Sequence, residues 1–130
     1  MSDADAGADV LADKTVLLVE DDPVVASAML FALEEGDANV AGPARRLRTA
    51  MRELDRQLPD AAILDVELLD GNVLPLAHRL QEEGVPFVFY TAHASQDHAA
   101  AYEVGVPVVR KSRTCEEAVE TLKDVLKPGG

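Results

Sequence analysis

The chain has 130 residues, 24 acidic against 12 basic for a formal net charge of −12, and 48% of it is hydrophobic, enough for one core and one domain. The acidity opposes a nucleic-acid partner, whose phosphates are bound by clustered Lys and Arg, and no apolar run approaches the roughly 20 residues of a membrane span. MSDADAGADVLADK lacks the basic start and apolar stretch of a secretory signal, and the single Cys115 cannot form an internal disulfide, so a cytoplasmic setting is expected.

Residues 1–14 hold Asp3, Asp5, Asp9 and Asp13 among small residues, with Val10 and Leu11 as the only large aliphatics. Too little there is apolar to order the segment, which reads as a flexible acidic tail. Four Asp against Lys14 place three of the net charges in it and leave nine in residues 15–130. The folded domain is expected over 15–127, with a C-terminal tail at 128–130.

Thr15–Val19 is a continuous β-branched and aliphatic run, as expected of a strand buried on both faces. Asp22-Pro23 reads as an N-cap with proline at the first helical position. Ala26, Met29, Leu30 and Leu33 give the helical stripe, which ends at Gly36. A short strand over Ala38–Ala41 is closed by Gly42-Pro43. A helix over 44–57 then carries Leu47, Met51 and Leu54, with Leu58 continuing the stripe. Ala61–Leu64 is a third strand, ending at Asp65.

Beyond the turn at Asp70-Gly71, a helix buries Val73, Leu76, Ala77 and Leu80 and stops at Gly84, with Pro75 tolerated in its first turn. Pro86–Tyr90 and Val106–Arg110 are the fourth and fifth strands. The stretch 91–105 between them has room for only a short helix. Thr114 and Glu117 form a capping box for a last helix that buries Ala118, Leu122, Val125 and Leu126. Strands alternating with helices imply an α/β fold, a parallel sheet covered on both faces.

Ligands of such sheets bind where the strands end. Glu20, Asp21 and Asp22 follow the first strand, Asp65 the third, Thr91 the fourth and Lys111 the fifth. Clustered carboxylates repel one another in a cleft unless a cation offsets them. An all-oxygen donor set suits a hard ion such as Mg²⁺. A hydroxyl and an ammonium beside it suit phosphoryl oxygens, so the set points to phosphoryl transfer onto an aspartate.

Val-Glu-Asp-Asp after strand one, Ile-Leu-Asp65 after strand three, Tyr-Thr91-Ala after strand four and Arg-Lys111 after strand five together resemble the receiver domain of two-component response regulators, over about residues 14–127. The resemblance implies a flavodoxin-like, doubly wound sheet of five parallel strands in the order 2-1-3-4-5. It implies that Asp65 accepts a phosphoryl group from a sensor histidine kinase or phosphotransfer protein. Asp21 and Asp65 would bind Mg²⁺ directly, with the backbone carbonyl of Glu67 as a third ligand and Glu20 acting mostly through water. Thr91 and Lys111 would each hold a phosphoryl oxygen. With no residues assigned to an output domain, the expectation is a single-domain regulator that signals to an unknown downstream protein, or a phosphorelay or sink.

Three departures stand out. Ser112 follows Lys111 where the family usually has proline after a cis bond; a cis bond before serine would cost about 3–4 kcal/mol, so trans is expected, with the lysine shifted or the loop relaxed. Val108 stands in place of the switch aromatic. The short connection from Thr91 to Lys111 resembles a receiver subset with a reduced fourth helix. These departures support one alternative, a pseudo-receiver that binds partners without phosphorylation. A Mg²⁺-dependent phosphatase of the haloacid dehalogenase type is a second, opposed by the placement of Asp65-Val-Glu67 after the third strand and by the missing cap.

Other residues have plainer readings. Asp22 is expected as a helix cap rather than a ligand. Arg45, Arg48, Arg52 and Arg56 form a basic stripe read as a solvated face. A metal pair of His93 and His98 is disfavoured, and His78 is expected to be exposed. Cys115 lies in the first turn of the last helix, where its pKa is expected to fall slightly. Phe87, Phe89 and Tyr90 are read as core.

Overall fold

The computed structural model describes residues 10–92 and 104–127. The chain runs β1 (Thr15–Val19), α1 (Pro23–Glu35), β2 (Asn39–Ala44), α2 (Leu47–Arg56), β3 (Ala61–Leu64), β4 (Glu67–Leu68), β5 (Gly71–Asn72), α3 (Leu74–Glu82), β6 (Phe87–Thr91), β7 (Val108–Arg110) and α4 (Cys115–Leu126). Five strands form one sheet in the order β2-β1-β3-β6-β7, and every neighbouring pair is parallel. Leaving aside the small antiparallel hairpin β4–β5, this is the expected 2-1-3-4-5 order.

Alternation along the strands builds two cores. Leu17, Val19, Leu64, Phe87 and Phe89 face one side with Leu54, Leu76 and Leu80 of α2 and α3. Val16, Leu18, Ile63, Val88 and Tyr90 face the other with Met29, Leu33 and Leu122 of α1 and α4. Phe87 and Phe89, two apart on β6, meet edge to face with centroids 5.6 Å apart. Leu11, assigned from the sequence to the acidic tail, is fully buried in the second core.

Helix starts follow local chemistry. Asp22 accepts from the N–H groups of Val24 (2.9 Å) and Val25 (3.4 Å), and the Thr114–Glu117 capping box closes at 3.1 and 3.2 Å. α2 is different. Its N-cap, Arg46, supplies no side-chain cap; instead Asp70, from the hairpin turn, accepts from the N–H groups of Leu47 and Arg48. Those two donors hold the Asp70 carboxyl below its ordinary pKa despite the opposing effect of desolvation.

Several boundaries differ from the sequence reading. β2 runs past Gly42-Pro43 to Ala44, because a bulge shifts its register from Leu17↔Ala41 to Val19↔Ala44 and an edge strand tolerates proline. α2 starts at Leu47 rather than at 44 and stops at Arg56, which leaves Leu58 exposed. Val125, expected in the core, is exposed where α4 overruns the starts of the strands, bordering an open groove with Val85, Pro86 and Val106. β7 is shorter than Val106–Arg110. Of the stretch 91–105 expected to form a short helix, residues 93–103, with His93 and His98, lie outside the described residues.

The bulge makes one glycine obligatory. Gly42 has φ +106°, and a Cβ there would sit 2.6 Å from the Leu18 carbonyl oxygen and 2.8 Å from the Ala44 nitrogen. Gly84 also has positive φ, +74°, but open space around it. In urea denaturation, Gly84→Ala is expected to cost about 1 kcal/mol through backbone strain alone. Gly42→Ala should cost roughly 3 kcal/mol or more, because backbone must also move. Equal losses for the two variants would contradict this account.

Candidate functional site

In a parallel sheet joined by helical crossovers, every strand delivers its carboxyl end to the same edge. Here that edge gathers the polar residues of the interior. Among the described residues the buried polar or charged side chains are Glu20, Asp65 and Thr91, at 2%, 6% and 2% exposure, and they directly follow β1, follow β3 and end β6. The backbone fixes their placement: Glu20 N–H donates to the Ala44 carbonyl (2.9 Å) and Asp65 N–H to the Val19 carbonyl (2.9 Å).

Glu20, Asp21 and Asp65 can each present an oxygen within 4.8 Å of the others. Lys111, just past β7, reaches into this group. Its Nζ donates to Glu20 Oε2 at 2.7 Å and to Asp65 Oδ2 at 3.2 Å. Its backbone N–H donates to the Thr91 carbonyl at 2.7 Å, extending the β6–β7 ladder to the site. The Asp22 N–H donates to Glu20 Oε2 at 3.1 Å, and Arg45 Nε donates to the Asp21 carbonyl at 3.3 Å.

The electrostatics follow from burial. Desolvation raises the Glu20 pKa, opposed by the Lys111 contact and the Asp22 N–H. Desolvation and then the Glu20 charge push Asp65 up from 3.8 to about 8 against the pull of Lys111. For Lys111, desolvation favours the neutral amine, but Glu20 and Asp65 outweigh it and its pKa rises. One ammonium thus contacts two of three clustered carboxyl groups, which together form a partly desolvated, all-oxygen donor set. Such a set fits a hard divalent cation such as Mg²⁺.

The fold therefore brings together Glu20, Asp21, Asp65 and Lys111, with Thr91 at the adjoining strand end. Glu67 lies in β4, paired with Asn72, two residues past Asp65. Asp22 caps α1 as expected. The four arginines of the basic stripe are all exposed, as a solvated face requires, and Arg56 pairs with the local acid Glu53 at 2.8 Å; Arg45 precedes α2 and also bonds the Asp21 carbonyl. His78 is exposed. Burial pushes the Cys115 thiol up in pKa, correcting the expected lowering at the helix start. Lys111–Ser112 is trans, since the cis bond among the described residues is Gly42–Pro43, yet the lysine is not displaced from the carboxylates.

Sequence reading missed the Arg45 contact, the hairpin and a polar role for Tyr90. The hairpin had a signal in the Asp70-Gly71 pair, a frequent turn dipeptide. Tyr90 had none, because its alternation matches a core position.

Residues 16–123 match the response regulator receiver domain family. The chain is 36% identical over 122 residues to the "Probable transcriptional regulatory protein TcrX" of Mycobacterium tuberculosis, covering 89% of this chain and 51% of that protein. It is 31% identical to the "Sensory transduction protein LytT" of Bacillus anthracis, covering 86% of this chain and 47% of that protein. It thus spans about half the length of these curated relatives. Among solved structures, the non-phosphorylated HemR receiver domain of Leptospira biflexa superposes with a TM-score of 0.77 at 28% identity, covering 91% of this chain and 98% of that one. With the strand order, the acidic edge and the sequence match in agreement, the chain belongs to the response regulator receiver domain family of two-component signalling.

Proposed function

We propose that this domain accepts a phosphoryl group on Asp65 from a sensor histidine kinase or phosphotransfer protein, and passes the signal to a further protein through contacts of the modified domain or acts as a relay or sink. The observation that carries this reading is the meeting of Lys111 with the buried Glu20 and Asp65 at one sheet edge. Glu20, Asp21 and Asp65, with the Glu67 backbone carbonyl, are the residues that would hold Mg²⁺. When bound, the ion supplies positive charge to the transferring phosphoryl oxygens.

The chain's own groups do the rest. An Asp65 carboxylate oxygen forms the new P–O bond as the P–N bond to the donor histidine breaks, with the electron pair leaving on the imidazole nitrogen, which is then protonated. Lys111 already touches Asp65, so its ammonium is placed to follow charge onto a phosphoryl oxygen. Thr91, buried at the neighbouring strand end, brings a hydroxyl to the same edge. Its partner surface is protein rather than nucleic acid, in keeping with the net charge of −12.

With acetyl phosphate and Mg²⁺, intact-mass measurement should show one added phosphoryl group, absent in Asp65→Asn and absent without the metal; an unmodified wild-type protein under acetyl phosphate and under a cognate kinase would sink the reading. Asp21→Asn should weaken Mg²⁺ binding in calorimetric titration by at least about tenfold, with the fold retained.

The raised Asp65 pKa carries a pH signature in the metal-free protein. A carboxyl whose pKa is higher folded than unfolded favours the native state only when protonated, so stability falls as pH rises from near 3.8 toward about 8. Asp65→Asn removes that ionisation. Its stability relative to wild type should therefore increase across this window in urea denaturation with chelator present. A difference that stays constant with pH would refute the assignment.

A further inference from the structure

The loop that carries Lys111 has no rigid residue of its own: it reads Lys111-Ser112-Arg113-Thr114, with exposed side chains at the last three positions. Its backbone is nonetheless fixed at three points. At its start, Lys111 N–H donates to the Thr91 carbonyl at 2.7 Å, and Arg113 N–H closes a turn on the Arg110 carbonyl at 2.9 Å. At its end, the capping box fixes Thr114. Between them, the Tyr90 hydroxyl donates to the Arg113 carbonyl at 2.7 Å and lies 3.9 Å from the Cys115 thiol, which can donate to it. Tyr90 is 4% exposed and its ring is packed in the second core, so the hydroxyl is a rigid anchor rather than a surface group.

Tyr90 and Thr91 are consecutive on β6, so their side chains alternate. The strand thus sends Thr91 to the site and Tyr90 to the underside of the loop that supplies Lys111. We propose that the Tyr90 hydroxyl is a positioning residue for Lys111: by holding the Arg113 carbonyl it sets the path of the β7–α4 loop, and so keeps the ammonium on Glu20 and Asp65. It does for a trans Lys111–Ser112 bond what a rigid residue after the lysine would otherwise do. Its consequence for phosphoryl transfer rests on the phosphoacceptor reading above, whereas its effect on Lys111 does not.

Tyr90→Phe keeps the ring and removes the hydroxyl. Two readouts separate positioning from general stability, which urea denaturation monitors alongside. In the metal-free protein, the Lys111 ammonium, assigned by its loss in Lys111→Ala, should give a slowly exchanging NMR signal in wild type that broadens into water exchange in Tyr90→Phe, with faster amide exchange at Ser112–Thr114. An ammonium signal that is not slowed in wild type, or is unchanged in Tyr90→Phe, overturns the proposal.

The second readout is the rate of acetyl phosphate labelling. Tyr90→Phe should slow it by roughly threefold to tenfold, the scale of one well-made hydrogen bond acting through geometry. The same substitution in a Lys111→Ala background should have no further effect. An equal loss in both backgrounds overturns the proposal, because the hydroxyl would then act independently of the lysine. If the wild type takes no phosphoryl group at all, the phosphoacceptor reading fails, and the ammonium signal alone decides the role of Tyr90.

Discussion

One lysine ammonium shared between two buried carboxylates is the interaction on which this edge of the molecule depends. Lys111 lies 2.7 Å from Glu20 and 3.2 Å from Asp65, and both acids are almost fully enclosed. Removing charged groups from water is costly, and a lone buried carboxylate pair would protonate rather than persist as two charges. A single cation eases this without cancelling it, and on the phosphoacceptor reading proposed above a metal ion would complete the compensation. A fully neutralised cluster would be more stable and chemically inert.

The arrangement is possible because the sheet is parallel throughout. Each crossover returns the chain to the same starting edge, so residues separated by 91 positions, Glu20 and Lys111, meet as neighbours across strand ends. The apolar interior of both faces anchors those ends. Short runs such as Ala61–Leu64 are buried at every residue and leave no freedom for Asp65 to drift. The site's precision is thus a property of the core beneath it, and the loops add the fine adjustment.

Most of the fold and the site were legible because they are carried by strong local signals. Unbroken apolar strands, the Asp22-Pro23 start of α1 and the Thr114–Glu117 box needed no tertiary context. The carboxylates, Thr91 and Lys111 were identifiable by position, at the ends of the first, third, fourth and fifth strands of the sheet. What escaped was non-local. β2 passes through a glycine and a proline because its partner strand permits a bulge, which nothing within β2 announces. Leu11 is drawn into the core from a segment whose composition looks unstructured. The Cys115 thiol obeys its desolvation rather than its place at a helix start. Tyr90 reads as any core aromatic until the loop beneath which it lies is in place.

Asp70 ties two segments into one mechanical unit. It sits in the turn of the hairpin that follows Asp65, and its carboxylate caps the first turn of α2, more than twenty residues earlier in the chain. The hairpin includes Glu67, so the backbone two residues past Asp65 is tied through Asp70 to two amides of a helix on the sheet's face. Asp70 is a surface acid whose carboxyl those two amides hold below its ordinary pKa. A solvent-facing turn thus joins the backbone just after Asp65 to the first turn of α2.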